Sequence, residues 1–347
     1  MKFGPVPPAR IAGAILAHSL TVNGQKLRKG IRLTEQHARL LSDAGLKQVI
    51  VAQLDPEDLH EDAAAQQLAA ALAPDLRGLR LTAPFTGRVN ILARGPGLAL
   101  LDEARLIAAN EVHPMITVAT VPPHQQMAAR GMVATVKIIS YGVPRADLER
   151  ACHLAHRAIR FAPPQLRTAS LLITQIPGGA GEKGLPAIEA RLNALNIALT
   201  EVITVPHQEQ PLSAALAGVS SDLTLILTGS ATSDPLDVAP QAVRLAGGRV
   251  ERFGMPVDPG NLLFLADISG RPVIGLPGCA RSPALNGADW VLGRVACALP
   301  VTGRDIARMG VGGLLKEIPT RPMPRQGHKP APAQAPDRKD TSIEVPG

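Results

Sequence analysis

Through the second half of the chain, short apolar runs alternate with stretches whose apolar residues recur every three or four positions. Residues 171–173, 202–205, 223–227, 249–253, 262–265 and 273–275 read as strands, and 187–195, 212–217, 238–246 and 283–299 as helices. Several of these strands are apolar at consecutive positions, as in Leu223-Thr224-Leu225-Ile226-Leu227, so both of their faces need cover. Strand and helix in alternation therefore predict a mostly parallel sheet with helices on both sides, a three-layer α/β sandwich. Ligands of such sheets bind beyond the carboxyl ends of the strands.

The first half has another rhythm. Asn23-Gly24 between two short runs predicts a hairpin, and Thr34 stands where it can cap a helix that stops before Gly45. Residues 49–51 read as a strand, 61–72 as an Ala-rich helix, and 79–93 as β-rich with a turn at Thr86-Gly87-Arg88. A helix over 102–110, strands over 115–120 and 133–140, and a helix over 147–160 complete this half, and Pro163-Pro164 marks a linker. The expected organisation is a smaller mixed, β-rich region at 1–163 and an α/β domain at 164–318. Residues 319–347, rich in Pro, Lys, Arg, Gln and Asp, have little to bury and are expected to be a disordered tail.

Composition narrows the classes of function. With 46% hydrophobic and 19% charged residues among 347, the chain can bury real cores. Aromatic residues amount to 2%, with one Trp and one Tyr, which argues against the stacking platforms of nucleic-acid binders. The net charge of +7 is spread along the chain and forms no dense run, so it suits a small anionic ligand. Cys152, Cys279 and Cys297 form no CxxC pair, which fits a reducing, cytoplasmic compartment. No apolar run approaches the roughly 18 residues of a membrane helix, so no membrane partner is expected.

Three loops of the second half carry the polar chemistry. The first, Pro177 to Gly184, contains Gly179-x-Gly181-x-x-Gly184 and spells a dinucleotide fingerprint. Its context fits poorly: Pro186 follows at once and no acidic residue ends the next strand. The second, Thr228-Gly229-Ser230-Ala231-Thr232, offers small residues, amides and hydroxyls to an oxyanion, and the next helix adds its positive end. Asp237 at that helix start reads in bland terms as an N-cap. Asp234 and Asp237 beside a phosphate cradle would repel the ligand unless a divalent metal or an amine-rich heterocycle lies between them.

The third comprises two pieces, Met255-Pro256-Val257-Asp258-Pro259-Gly260-Asn261 and Leu276-Pro277-Gly278-Cys279-Ala280-Arg281-Ser282. Pro-Gly occurs in both and sets turns in which amides can face a ligand. Arg281 can pair bidentately with phosphate, and Ser282 can cap the following helix. Other polar residues carry less. Cys152, His153 and His156 read as a solvated helical face, and His207 as a loop residue.

The order of these loops resembles the molybdopterin-binding domain of the molybdopterin adenylyltransferases and molybdenum insertases. Those families carry a Gly-Gly-x-Ser loop ending in Asp, a Lys-Pro-Gly-Lys-Pro stretch and Gly-Leu-Pro-Gly-Asn-Pro-x-Ser, and the likeness spans about residues 168 to 300. A closer likeness covers nearly the whole chain. Pro277-Gly-Cys-Ala-Arg-Ser282, the run Asp289-Trp290-Val291-Leu292 and Met309-Gly-Val-Gly-Gly-Leu-Leu315 are similar to a bacterial subfamily that stands beside, or is fused to, molybdenum cofactor cytidylyltransferases.

The resemblance implies a ligand, molybdopterin or its nucleotide form, held by Thr228 to Thr232, Pro256, Pro259, Gly260, Asn261, Pro277, Gly278, Cys279, Arg281 and Ser282. It implies a separate cytidylyltransferase or a molybdenum hydroxylase as partner, and is compatible with a homo-oligomer. In an active transferase of this kind Asp234, Asp237 and Asp258 would be catalytic, with Mg2+ on Asp237 and Asp258. Departures weaken that version: Asp258 and Asn261 stand where the insertases have lysines, and Cys279 where they have Asn. Thr174-Gln-Ile-Pro-Gly178 replaces their Thr-Gly-Asp-Glu. A dinucleotide-dependent oxidoreductase, using Gly179 to Gly184, is the rival outside this family.

Overall fold

The computed structural model describes residues 1–315, so the expected tail at 319–347 lies outside the described residues. The chain opens with β1 (Lys2–Val6) and β2 (Ile15–Leu16), the hairpin β3 (Leu20–Val22) to β4 (Gln25–Leu27), α1 (Glu35–Asp43) and β5 (Val49–Gln53). β5 lies between β1 and β2, antiparallel to both. Asn23 and Gly24 turn the hairpin with φ of 48° and 77°, as a two-residue turn of that type requires. Thr34 caps α1, its Oγ1 accepting from the His37 N–H.

There follow β6 (Asp58–His60), α2 (Glu61–Leu72), β7 (Leu79–Leu81), β8 (Arg88–Ala93), β9 (Gly97–Leu101), α3 (Glu103–Asn110), β10 (Ile116–Thr120), β11 (Gln126–Met127), β12 (Met132–Ile138), β13 (Gly142–Pro144), α4 (Arg145–Leu154) and β14 (Ile159–Ala162). They form a sheet ordered β10-β12-β8-β7, a smaller one ordered β11-β9-β14, and the pair β13-β6. Ala64, Ala65, Leu68, Ala69 and Leu72 of α2 are buried in the core these sheets share. The helix expected over 147–160 stops at Leu154, and 159–162 pairs with β9 instead. Arg157 takes a left-handed φ of 59°, and beyond it Ile159 and Phe161 are buried while Arg160 is exposed, the two-residue period of a strand.

The second half holds β15 (Thr168–Gln175), α5 (Leu185–Asn193), β16 (Ala198–Pro206), α6 (Glu209–Gly218), β17 (Leu223–Leu227), α7 (Val238–Leu245), β18 (Arg249–Phe253), β19 (Phe264–Ile268), β20 (Arg271–Leu276), α8 (Gly287–Ala296) and α9 (Gly303–Arg308). The fold is mixed α/β, with one six-stranded sheet ordered β16-β15-β17-β20-β19-β18. The first four strands are parallel; β19 runs antiparallel to both β20 and β18. That reversal departs from a simple strand–helix alternation. Its cause is the Ser269-Gly270 turn, with φ of 53° and 81°, which joins β19 to β20 as a hairpin.

Strand side chains alternate between two cores. Leu171, Ile173, Leu225, Leu227, Ile274 and Leu276 meet residues of α5, α8 and α9, whereas Leu172, Ile226 and Val273 meet α6 and α7. Helix α8 also ties the two halves together. Cys297, just past its end, is buried with Leu98 and Ala162 of the first half, and Ala296 O accepts from the N–H groups of Gln165 and Leu166, where the chain enters the second, at 2.7 and 3.2 Å. That burial pushes the Cys297 thiol up to about 11.

Candidate functional site

Because β15, β17 and β20 are parallel and in register, Gln175, Leu227 and Leu276 end at one edge of the sheet. Two antiparallel steps restore the direction, so β18 ends at that edge as well. The loops 176–184, 228–237, 254–263 and 277–286 therefore open on a common rim. All the site residues expected from the sequence lie on the last three.

Arg281 stitches the rim. It lies at the end of a short 3-10 helix, Gly278–Arg281. Its Nη1 donates to Gly181 O at 2.8 Å and Lys183 O at 2.6 Å, and its Nη2 to Thr228 O at 2.9 Å. One guanidinium thus joins the Gly-rich loop, the Thr228 loop and its own. Burial holds its guanidinium below the ordinary arginine value. These three bonds occupy donors that phosphate pairing was expected to use. Gly184 makes the approach feasible: a Cβ on it would lie 2.6 Å from Arg281 Cα, and its φ is 99°. The last glycine of the dinucleotide-like spelling thus has a packing cause.

Behind the Thr228 loop stands Thr174, fully buried at the end of β15. Its Oγ1 accepts from the Gly229 N–H at 2.9 Å and lies 2.8 Å from His207 Nδ1, while His207 N–H donates to Gln175 O at 2.9 Å. A Cβ on Gly229 would sit 2.7 Å from Thr174 O, so this glycine is set by the strand beside it. Thr228 and Thr232 are buried with their hydroxyls 3.4 Å apart; Ser230 and Ala231 are exposed.

Asp237 is the N-cap of α7, with Oδ1 accepting from Val238 N–H at 2.7 Å and Oδ2 from Ser233 N–H at 3.0 Å. Asp234 accepts from Leu236 N–H at 2.7 Å. Asp258 is held through its backbone: its N–H donates to Gly313 O at 2.8 Å and its O accepts from Leu315 N–H at 2.9 Å. Residues 309–315 thereby clasp the 254–263 loop, and a Cβ on Gly313 would lie 2.6 Å from Pro256 O. Pro259 and Gly260 are buried, Asn261 exposed, and Pro259 O accepts from Gly287 N–H at 2.8 Å. Among the described residues no three His, Cys, Asp or Glu converge as metal ligands.

The helix expected over 283–299 begins at Gly287, and its cap is Asn286 rather than Ser282. Asn286 Oδ1 accepts from Ala288 N–H at 2.9 Å, and Asp289 Oδ2 from Asn286 N–H at 2.8 Å, a reciprocal capping box. Among the described residues the Ser282 hydroxyl meets only Ala284 N–H, at 3.2 Å. Pro277 is buried, Gly278 exposed, and partly buried Cys279 contributes its O to Ser282 N–H at 3.1 Å. Gly275, the first glycine of Gly-Leu-Pro-Gly, serves the core, since a Cβ there would fall on the Phe264 ring that covers it from β19.

Four residues outside the expected set shape the rim: Thr174, His207, Asn286 and Arg191. Arg191 Nε donates to Asp289 Oδ1 at 2.5 Å, Nη1 to Ala187 O and Ala280 O, and Nη2 to Ser282 O and Ala284 O. All five of its N–H donors are in use. Only the capping pair Asn286 and Asp289, an Asn three residues ahead of an acid, had a signal in the sequence.

A family model described as a domain of unknown function (DUF8806) matches residues 5–53, the stretch of β1 to β5. No curated protein matches the chain. Among solved structures, the molybdopterin biosynthesis MoeA protein from Pyrococcus horikosii is 12% identical over 89% of this chain and 77% of its own, at a TM-score of 0.28. A molybdopterin biosynthesis protein from Mycobacterium abscessus is 14% identical over 39% of this chain and 94% of its own, at 0.28. The protein CinA with unknown function, from Thermoplasma acidophilum, is 16% identical over 33% of this chain and 90% of its own, at 0.25. The chain is therefore similar to molybdopterin biosynthesis proteins and to one protein without an assigned activity, at TM-scores too low to carry chemistry.

Proposed function

We propose that the chain binds molybdopterin, or its nucleotide form, at the rim of a three-layer α/β domain and serves in the biosynthesis of molybdenum cofactor or its delivery to a molybdenum enzyme. What supports the reading is the convergence on one rim of the loops 228–237, 254–263 and 277–286, the first and last of them joined through Arg281. A pterin with a terminal phosphate needs both an edge of donors and acceptors and a cradle of amides. Ser230 and Ala231 are exposed at the tip of the Thr228 loop, where their amides can meet phosphate, and Asn261 is exposed on the neighbouring loop.

Binding is preferred over Mg2+-dependent transfer. The carboxylates of Asp234 and Asp237 are engaged by the amides of Leu236, Ser233 and Val238, bonds that a metal on those oxygens would weaken or break. In this reading Asp237 shapes the cradle and does not ligate. The test is to co-express the chain with pterin-forming enzymes and measure the pterin that copurifies, by fluorescence after oxidation. Ser230→Glu places a negative charge at the exposed tip, on a side chain that makes no hydrogen bond among the described residues, and is expected to lower the yield about tenfold. Absence of copurifying pterin with the unaltered chain, or an unchanged yield with Ser230→Glu, would reject the reading.

A further inference from the structure

Between the two halves lies a cleft of about 1030 Å³, lined from the first half by residues of β9, α3 and the turn before β11, and from the second by α8, α9 and residues after it. None of residues 228–237, 256–261 or 277–282 lines it. Its size is at the upper end of the roughly 300–1000 Å³ usual for small-molecule sites. Leu98, Leu101 and Met309 supply apolar wall, and the chain's one tryptophan, Trp290, faces the same space, half-buried.

The charges in the cleft are unevenly committed. Asp289 is bound to Arg191 and to the Asn286 amide, Asp305 to the amide and hydroxyl of Thr302, and Asp102 to Arg105. Arg160 and Arg308 form no ion pair among the described residues. Arg294 Nε is buried and has no hydrogen-bond partner among them. A buried guanidinium N–H left without an acceptor is costly, and an oxyanion entering the cleft would supply one. His124 faces the same space. Of the lining acids only Glu103, on the first turn of α3, lacks a side-chain hydrogen bond among the described residues.

From this juxtaposition of an indole, three arginines with unused donors and an apolar wall, we infer that the interdomain cleft binds a nucleoside phosphate, its base against Trp290 and its phosphate held by Arg294 and Arg308. Indole and guanidinium planes both stack on aromatic bases, and the guanidinium fork matches phosphate oxygens. Leu285 of the 277–286 loop lines the cleft, but none of the residues proposed to contact the pterin does, and the inference does not rest on pterin binding.

The single tryptophan makes the experiment direct. The full chain is titrated with AMP, with ribose 5-phosphate as the probe that lacks a base, while Trp290 emission is followed. Saturable quenching by AMP is expected, at least about tenfold weaker in both Arg294→Gln and Arg308→Gln, the loss of one charge-assisted contact in each case. Arg39→Gln, on exposed α1 surface, and Ser230→Glu at the rim should leave it unchanged, which separates failure here from failure of the pterin reading. Absence of saturable quenching, an affinity in both cleft variants equal to that of the unaltered chain, or equal binding of ribose 5-phosphate would overturn the inference. Arg308 is exposed, so its variant tests the site even if Arg294→Gln fails to fold.

Discussion

Arg191 Nε and Asp289 Oδ1 meet at 2.5 Å, joining α5 to α8 across 98 residues of chain, with side chains only 11% and 14% exposed. The pair sits at the centre of a fastener. The same guanidinium holds the carbonyls of Ala280, Ser282 and Ala284, while the same carboxylate caps α8 through the Asn286 amide. Arg191→Lys keeps the charge but offers three donors in place of five. It should cost about 2 kcal/mol, by leaving shielded carbonyls unpaired, and urea denaturation would register this as a lower midpoint at unchanged slope. A midpoint equal to that of the unaltered chain would remove Arg191 as the fastener.

The two serviceable caps before α8 separate by side chain. Asn286→Ala removes a fully buried cap and should destabilise by about 1–2 kcal/mol. Ser282→Ala, losing one exposed bond at 3.2 Å, should stay within about 0.5 kcal/mol. Thermal melts of the two variants side by side would settle the order, and a reversed order contradicts the assignment of the cap.

Thr174→Val keeps the shape of the side chain and deletes the hydroxyl that accepts from Gly229 N–H and meets His207. The glycine amide then lacks its partner, at a cost of about 1–3 kcal/mol. Amide hydrogen exchange at Gly229 should accelerate by more than that at Leu225 in the middle of β17. Equal acceleration at both positions would mean global loosening rather than a local lost bond.

His124 gives the protein a pH signature. Burial holds its imidazole below the ordinary 6.5, and Arg294 on α8 adds to the effect, while Asp305 on α9 and Glu103 on α3 oppose it. The unfolded chain therefore takes up a proton at a pH where the folded chain does not. Stability should be full above the ordinary value and decline as pH falls through it toward the lower folded value. His124→Gln should flatten that part of the stability curve; a curve that still declines equally there would assign the effect to another group.

Much of the scaffold was readable from local pattern. The span of β17, the Ala-rich α2, the capped α1 and the turns at Asn23-Gly24 and Thr86-Gly87 each depend on neighbours within a few positions. The reversal of β19 had a signal in Ser269-Gly270 that a simple strand–helix alternation overlooks. Strand β14 did not stand out, because 159–162 follows a helix and gains its partner only from β9, some sixty residues earlier. Of the candidate site, the rim position of the loops followed from strand order. The occupation of Arg281 by three carbonyls did not, since it depends on where Gly181, Lys183 and Thr228 come to rest.

By itself, then, the sequence determined which segments alternate, which residues cap or turn, and which loops carry polar chemistry, because those depend on period, steric preference and adjacency. Only the tertiary structure decided which polar groups are already engaged and which still face open space. Arg191 and Arg281 use their donors within the fold, while Arg294 keeps Nε without a partner among the described residues, yet the three are alike in the sequence. The reason is physical: the availability of a hydrogen-bond donor depends on acceptors brought from distant chain, and only the folded chain positions them.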